Sequence, residues 1–271
     1  MGSNDRETRW ASEAAFFDAK AEEASKSLTP IDPLTMLRYS QWKRRRVSKE
    51  YLFRIIGPLV GKKVLDVGCG DGLLSVQMAN LGADVVGIDI SPESIEVSRR
   101  RAEIDGVSEK AKFVCGPIEA ATILGAQFDL VVGIAILHHV IADLETLVPR
   151  LVSFAKPGGQ IAFVEPVNLF EPLRQLRRFV PIKGDYTPDE RPLEPAELAV
   201  VRQHIPDLTI RSYNLLGRLV PFVLRGEFYE HSTGPKRMLV EGIWLTDYAV
   251  LSLPFFNRLG GTAVLSGHRA S

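Results

Sequence analysis

The pattern of apolar and polar positions changes twice along the chain. Over residues 1–50, Phe16, Phe17, Leu34, Met36, Leu37, Tyr39 and Trp42 punctuate a charged background without alternation, and Pro30 and Pro33 break the stretch in two. That pattern predicts an N-terminal helical cap. From Lys62, short apolar runs bounded by glycines or acids alternate with helical stretches. Residues 63–67 read as a buried parallel strand and 73–81 as a helix with apolar positions at 73, 74, 78 and 81. Residues 84–89 form a second predicted strand. Ser91-Pro92-Glu93 then supplies an N-cap, a first-turn proline and an early acid, starting a helix that ends near Asp105-Gly106. Residues 113–115 and 129–132 are the third and fourth predicted strands. A helix follows over about 143–155, where Pro149 implies a kink or a late start. Lys156-Pro157-Gly158-Gly159 reads as a tight turn before a fifth strand at 160–165.

Strands separated by helices of these lengths imply right-handed crossovers and a doubly wound, mostly parallel α/β sheet of the Rossmann-like kind. Prolines at 166, 172, 181, 188, 192 and 195 then break the rhythm, which predicts an insertion rather than a core crossover. Residues 208–213 and 261–266 are expected as last strands, with a largely apolar excursion between them. The organisation read from this is a cap over 1–50 and a cofactor-binding core over 51–165. Residues 166–271 would hold a lid, the acceptor region and the final strands of the same sheet.

Composition narrows the classes. The 271 residues are 45% hydrophobic, enough for a substantial core, and carry 33 basic and 33 acidic side chains. That balance argues against a general nucleic-acid binder. Cys69 and Cys115 give neither a disulfide framework nor metal-ligand spacing, so no metal is expected, and both are expected as small buried apolar residues. A cytoplasmic setting fits. The first residues are polar and do not read as a signal peptide, and no apolar run approaches the roughly 20 residues of a membrane span.

The chemistry concentrates in Val64-Leu65-Asp66-Val67-Gly68-Cys69-Gly70-Asp71-Gly72. Glycines let the backbone turn abruptly and bring its N–H groups against a ligand. A dinucleotide fingerprint needs a glycine at position 73, which is Leu73; the third glycine is Gly72. An acid followed by Gly-x-Gly-x-Gly resembles motif I of the class I S-adenosylmethionine-dependent methyltransferases. Phe128-Asp129-Leu130-Val131-Val132-Gly133, the run to Leu137-His138-His139-Val140, and Lys156-Pro157-Gly158-Gly159 resemble further motifs of that family, in the right order. The resemblance covers about 62–165 and points to the branch that methylates small molecules such as quinones.

It implies S-adenosylmethionine as cofactor, held by the loop Gly68, Cys69, Gly70 and Gly72 with Asp66 organising the ammonium end. Asp89, 23 positions after Asp66, would accept both ribose hydroxyls, with Ile90 against the adenine. Gly133 and Ile134 would follow on the fourth strand. Pro117 stands where the family places an acid at the adenine edge, leaving the backbone of Ile118, or Glu119, to contact the ring. A cap cation, Arg46 with Tyr39 nearby, would meet the cofactor's carboxylate.

Catalytic candidates are His138 and His231. Adjacent residues on a helix point about 100° apart, so one of His138 and His139 is expected to face the pocket, His138 being the choice. The apolar stretches at 215–224 and 251–256, interleaved with Arg218, Arg225 and Arg258, read either as a second core layer or as the pocket of a lipophilic acceptor, with peripheral membrane contact as a further reading. The expected function is methyl transfer by in-line displacement, most readily to oxygen of a small acceptor. Two alternatives stay open: an NAD(P)-binding oxidoreductase and a non-catalytic S-adenosylmethionine-binding scaffold.

Overall fold

The computed structural model describes residues 3–40, 44–118, 127–172, 175 and 191–270. Among them, three helices come first: α1 (Ser3–Ser25), α2 (Pro33–Ser40) and α3 (Ser48–Ile56). There follow β1 (Lys63–Val67), α4 (Leu73–Asn80), β2 (Asp84–Asp89), α5 (Pro92–Ile104), β3 (Ala111–Cys115), β4 (Phe128–Ile134), α6 (Leu144–Phe154) and β5 (Ala155–Pro166). The chain closes with α7 (Pro195–His204), β6 (Thr209–Tyr213), α8 (Val220–Leu224), α9 (Gly234–Val250) and β7 (Thr262–His268).

The seven strands lie in the order β3-β2-β1-β4-β5-β7-β6. The pairings from β3 through β5 are parallel, while β7 runs antiparallel to both β5 and β6. The order reverses between β1 and β4, so the carboxyl ends of these strands form the crevice where such sheets bind ligands.

Alternation along β1 sorts the two core layers. Leu65 and Val67 pack with residues of α6 and α7, including Leu147, Leu151, Leu198 and Val201. Val64 packs on the opposite face with Phe53, Val76 and Ile95 of α3, α4 and α5. Asp66 shares that second face, under α4, where Ser75 meets it.

Ser91 caps α5 as expected, its hydroxyl accepting the Ser94 N–H at 2.9 Å. Three local expectations change. Pro149 lies inside α6, which begins at Leu144, so the helix does not start late. The Lys156–Gly159 turn is a loop within β5: Phe128 pairs with Ala155 and Leu130 with Gln160, so four residues bulge out, and the Gly158 N–H donates to the Arg269 carbonyl at 3.0 Å. Residues 191–206 are not all insertion. Leu193, Leu198, Val201 and Ile205 join the main core, because α7 buries one face against α6. Of the six prolines, 181 and 188 lie outside the described residues.

Cys69 is buried as expected, but Cys115 is exposed, since it ends the edge strand β3 at the rim of the sheet. Among the described residues no helix is long and apolar enough to cross a membrane.

Candidate active site

A cavity of about 350 Å³ opens at the reversal point. Val67 and Gly68 enter it from the end of β1, Ile88 and Asp89 from β2, Pro117 and Ile118 from beyond β3, and Ile134 to Ile136 from β4. The turn after β1 holds its glycines at positive φ (Gly68 65°, Gly70 53°, Gly72 76°). A Cβ on Gly72 would fall 2.8 Å from the Ser98 side chain, so this glycine serves the packing of α4 on α5. A Cβ on Gly70 would meet nothing within 4 Å except the open cradle.

Asp89 is fixed by backbone. Its Oδ2 accepts the Gly70 N–H at 2.8 Å and its Oδ1 accepts the Ser91 N–H at 3.0 Å. Burial nevertheless raises its pKa above the ordinary carboxylate value. A carboxylate has about four lone-pair positions, so each oxygen keeps one for a further donor, which suits a cis-diol. Ile90, Pro117 and Ile118 give the neighbouring wall its apolar character.

His138 is buried and faces the same cavity. Its Nδ1 lies 3.0 Å from Oε2 of the fully buried Glu165. Glu165 Oε1 already accepts the N–H groups of Ile136 and Leu137, at 2.9 and 2.8 Å. A carboxylate that collects amide protons is an acceptor, so Nδ1 carries the proton and Nε2 is the free lone pair. Sequence reasoning missed Glu165, which ends a strand 27 positions from His138. Both histidines line the cavity, against the expectation of one. They sit in a 3-10 turn, Leu137–His139, with rings 4.1 Å apart, and the His139 ring meets Phe17 edge-on at 5.4 Å.

Other expected site residues stand elsewhere. Asp66 lies beneath the loop on the α4 face, accepting the Ser75 hydroxyl at 2.6 Å, and burial pushes its pKa up to about 7. Cys69 turns its thiol into the core near Gly87, and Gly133 packs against Val67 and Ile136. Arg46 does not line the cavity: Glu241 draws its guanidinium away, at 3.3 Å, and its N–H donates to Glu50. Tyr39 stacks on Phe53 at 5.1 Å. His231, the second catalytic candidate, is exposed, paired with Asp32 on the cap and not among the residues lining the cavity. Glu119, Trp42 and Lys43 lie outside the described residues.

Two further features near the glycine turn were not legible. Lys49, on the first turn of α3, is half-buried with its amine 5.1 Å from the Tyr39 ring. Burial lowers its pKa to about 8, opposed by the charges of Asp71 and Asp66. A lysine on a short helix reads as a solvated charge, and no periodicity marks it otherwise. The second is α1, whose Trp10, Glu13, Phe16, Phe17 and Lys20 wall the cavity. The acceptor wall was expected after Glu165; instead Phe222 and Phe255 of that region are exposed and none of its described residues lines the cavity.

The donor set fits an adenosine-type cofactor: a glycine cradle, a braced carboxylate with spare lone pairs and an apolar slot. Residues 64–159 match the methyltransferase domain family. The ubiquinone biosynthesis O-methyltransferase of Bordetella avium is 35% identical over 151 residues, 55% of each chain. The chain therefore spans about half the length of that relative. The structure of magnesium protoporphyrin IX methyltransferase from Synechocystis PCC 6803, with bound S-adenosylhomocysteine, covers 96% of this chain and 99% of its own at 15% identity and a TM-score of 0.57. The [4+2]-cyclase SpnF has the same fold, at 18% identity, 90% and 99% coverage and a TM-score of 0.55. Fold likeness at this level carries architecture and not reaction. Together, the motif order, the reversal-point cavity and the match over 64–159 place a methyltransferase domain in this chain.

Proposed function

We propose that this protein transfers the methyl group of S-adenosylmethionine to an oxygen of a small, lipophilic acceptor, and that it does so in the cytoplasm. The observation that carries the reading is one cavity holding both the Asp89 cradle and the imidazole of His138 braced by Glu165. The oxygen-methylating activity in the names of the relatives supports it.

Asp89 holds the ribose hydroxyls, Gly68 and Gly70 lend backbone to the polar end, and Ile90, Pro117 and Ile118 pack on the base. Asp66 and Lys49 serve the ammonium and carboxylate ends, with Lys49 taking the place expected for Arg46. The cofactor supplies a methyl group on a sulfonium, a good leaving group. The protein's task is then alignment and exclusion of water, and orientation accounts for about 7–11 kcal/mol of barrier when geometry is right. Trp10, Phe16 and Phe17 form an aromatic wall that suits a lipophilic ring. His138 Nε2 accepts the proton of an acceptor hydroxyl, while Glu165 steadies the resulting imidazolium. A base in this role contributes about 10²–10⁴-fold.

The test is calorimetric binding of S-adenosylhomocysteine followed by turnover of radiolabelled S-adenosylmethionine on lipophilic phenols and catechols. Absence of binding refutes the cofactor assignment. Binding without turnover on any acceptor would return the scaffold reading. A nicotinamide oxidoreductase is not favoured, because Leu73 breaks the dinucleotide spacing.

A further inference from the structure

Helix α9 has an outward face unlike that of a solvated helix. On a 3.6-residue turn, Leu245, Met238, Ala249, Gly242, Pro235, Thr246 and Leu239 fall within an arc of about 120°, Thr246 being its one polar side chain. All are exposed, Met238 by 76%, Leu239 by 55% and Leu245 by 52%, and no charged residue enters the arc. The opposite face is the one that packs: Val240 and Trp244 are buried with Tyr229 and Val220.

One edge of this arc is cationic. Beside Glu241, Leu245 and Tyr248 of α9, a second cavity of about 370 Å³ is lined by Arg44, Arg45 and Arg46. Arg46 lies 3.3 Å and Arg44 3.9 Å from Glu241, and Arg237 reaches the same carboxylate at 3.6 Å. Glu50, 3.7 Å from Arg44, is already held by Arg38 at 2.8 Å. Arg45 sits over the Tyr248 ring at 5.4 Å and has no carboxylate partner among the described residues. Three guanidinium groups thus share one half-buried carboxylate and a fourth rests on a ring, leaving a positive excess beside an uncharged helix face. None of these residues lines the cofactor cavity.

We infer that this face docks on an anionic phospholipid surface, α9 lying in the interface with Met238 and Leu245 among the acyl chains and Arg44, Arg45 and Arg46 on headgroup phosphates. A helix with an apolar arc and a cationic margin binds bilayers through both terms at once. A second copy of the chain would satisfy the apolar arc, but its own arginines would meet these ones. The inference extends the proposed function by placing the protein where a lipophilic acceptor would reside, and it stands without that function.

The experiment is co-sedimentation of the full chain with vesicles of phosphatidylglycerol in phosphatidylcholine, against phosphatidylcholine alone. The chain is expected to pellet with the anionic vesicles and to be released by salt. Arg45→Gln should lower partitioning about fivefold, the worth of one cation at such a surface. Met238→Gln with Leu245→Gln should lower it about tenfold. Both variants should keep affinity for S-adenosylhomocysteine, or their thermal midpoint, which reports an intact fold. Failure to pellet, equal pelleting on neutral vesicles, or variants that pellet like the parent each overturns the inference. So does a dimer in sedimentation velocity that Leu245→Gln dissociates while no vesicle binding is found, which would give the face to a second copy.

Discussion

Two clusters of charged side chains, one at the cavity and one between the cap and the C-terminal excursion, are held by different means. At the cofactor edge, the backbone holds the carboxylates: Asp89 by the amides of Gly70 and Ser91, Glu165 by those of Ile136 and Leu137. At the junction of cap and C-terminal excursion, side chains hold each other. Arg38 donates to Glu50 and to Glu230 at 2.8 Å each, with Tyr229 and Trp244 4.6 and 4.8 Å from its guanidinium. His231 and Asp32 add an exposed pair between the same segments. The first arrangement leaves Asp89 free of any side-chain partner and turns Glu165 only toward His138. The second uses its side chains to fasten two segments 192 residues apart, leaving less for a ligand.

The contrast predicts different losses. The largest should come from Arg38→Met, which removes the shared guanidinium of buried Glu50 and half-buried Glu230 and should cost about 3–5 kcal/mol of stability. That corresponds to a fall in thermal midpoint of roughly 10 °C. A melt that does not move would dissolve the distinction between fastening and binding. Next, His138→Ala should lower kcat by about 10²–10⁴-fold while leaving the affinity for S-adenosylhomocysteine unchanged. Glu165→Gln should lower kcat by less than His138→Ala, again with S-adenosylhomocysteine affinity unchanged, because it weakens the contact that orients the imidazole.

Asp89→Ala should weaken S-adenosylhomocysteine about a hundredfold, the worth of two hydrogen bonds to a charged acceptor, with little change in the melt of the free protein. The smallest effect should be the pH dependence of binding. Asp66 must be ionised to meet an ammonium group, so affinity falls as pH drops below about 7. Lys49 must be protonated to meet a carboxylate, so affinity falls again above about 8. Lys49→Met should flatten the alkaline limb and weaken S-adenosylhomocysteine about tenfold. Methylthioadenosine, which lacks the amino-acid end, should be unaffected. Equal losses for both ligands would remove Lys49 from that end of the site.

Legibility in the sequence follows the same division. Lys63–Val67, the Ser91 cap, the glycine turn and Asp89 were readable because each depends on neighbours within a few residues. His138 was readable as a candidate, but its brace Glu165 was not, because only the pairing of β4 with β5 brings the two strand ends side by side. Arg46 looked suited to the cofactor from its place before β1, yet Glu241 on α9 claims it. The apolar residues after Glu165 looked like an acceptor pocket, while the cavity takes its aromatic wall from α1.

By itself, then, the sequence determined the parallel core, the glycine turn after β1 and the carboxylate that ends β2 beside it. These rest on alternation, glycine conformation and capping, which act over a few bonds. The tertiary structure alone decided which cation lies near the loop, which acid orients His138, that β7 inserts antiparallel beside β5, and which apolar residues remain uncovered. Those outcomes depend on competition among partners far apart in the chain, and burial settles them only when the layers have packed.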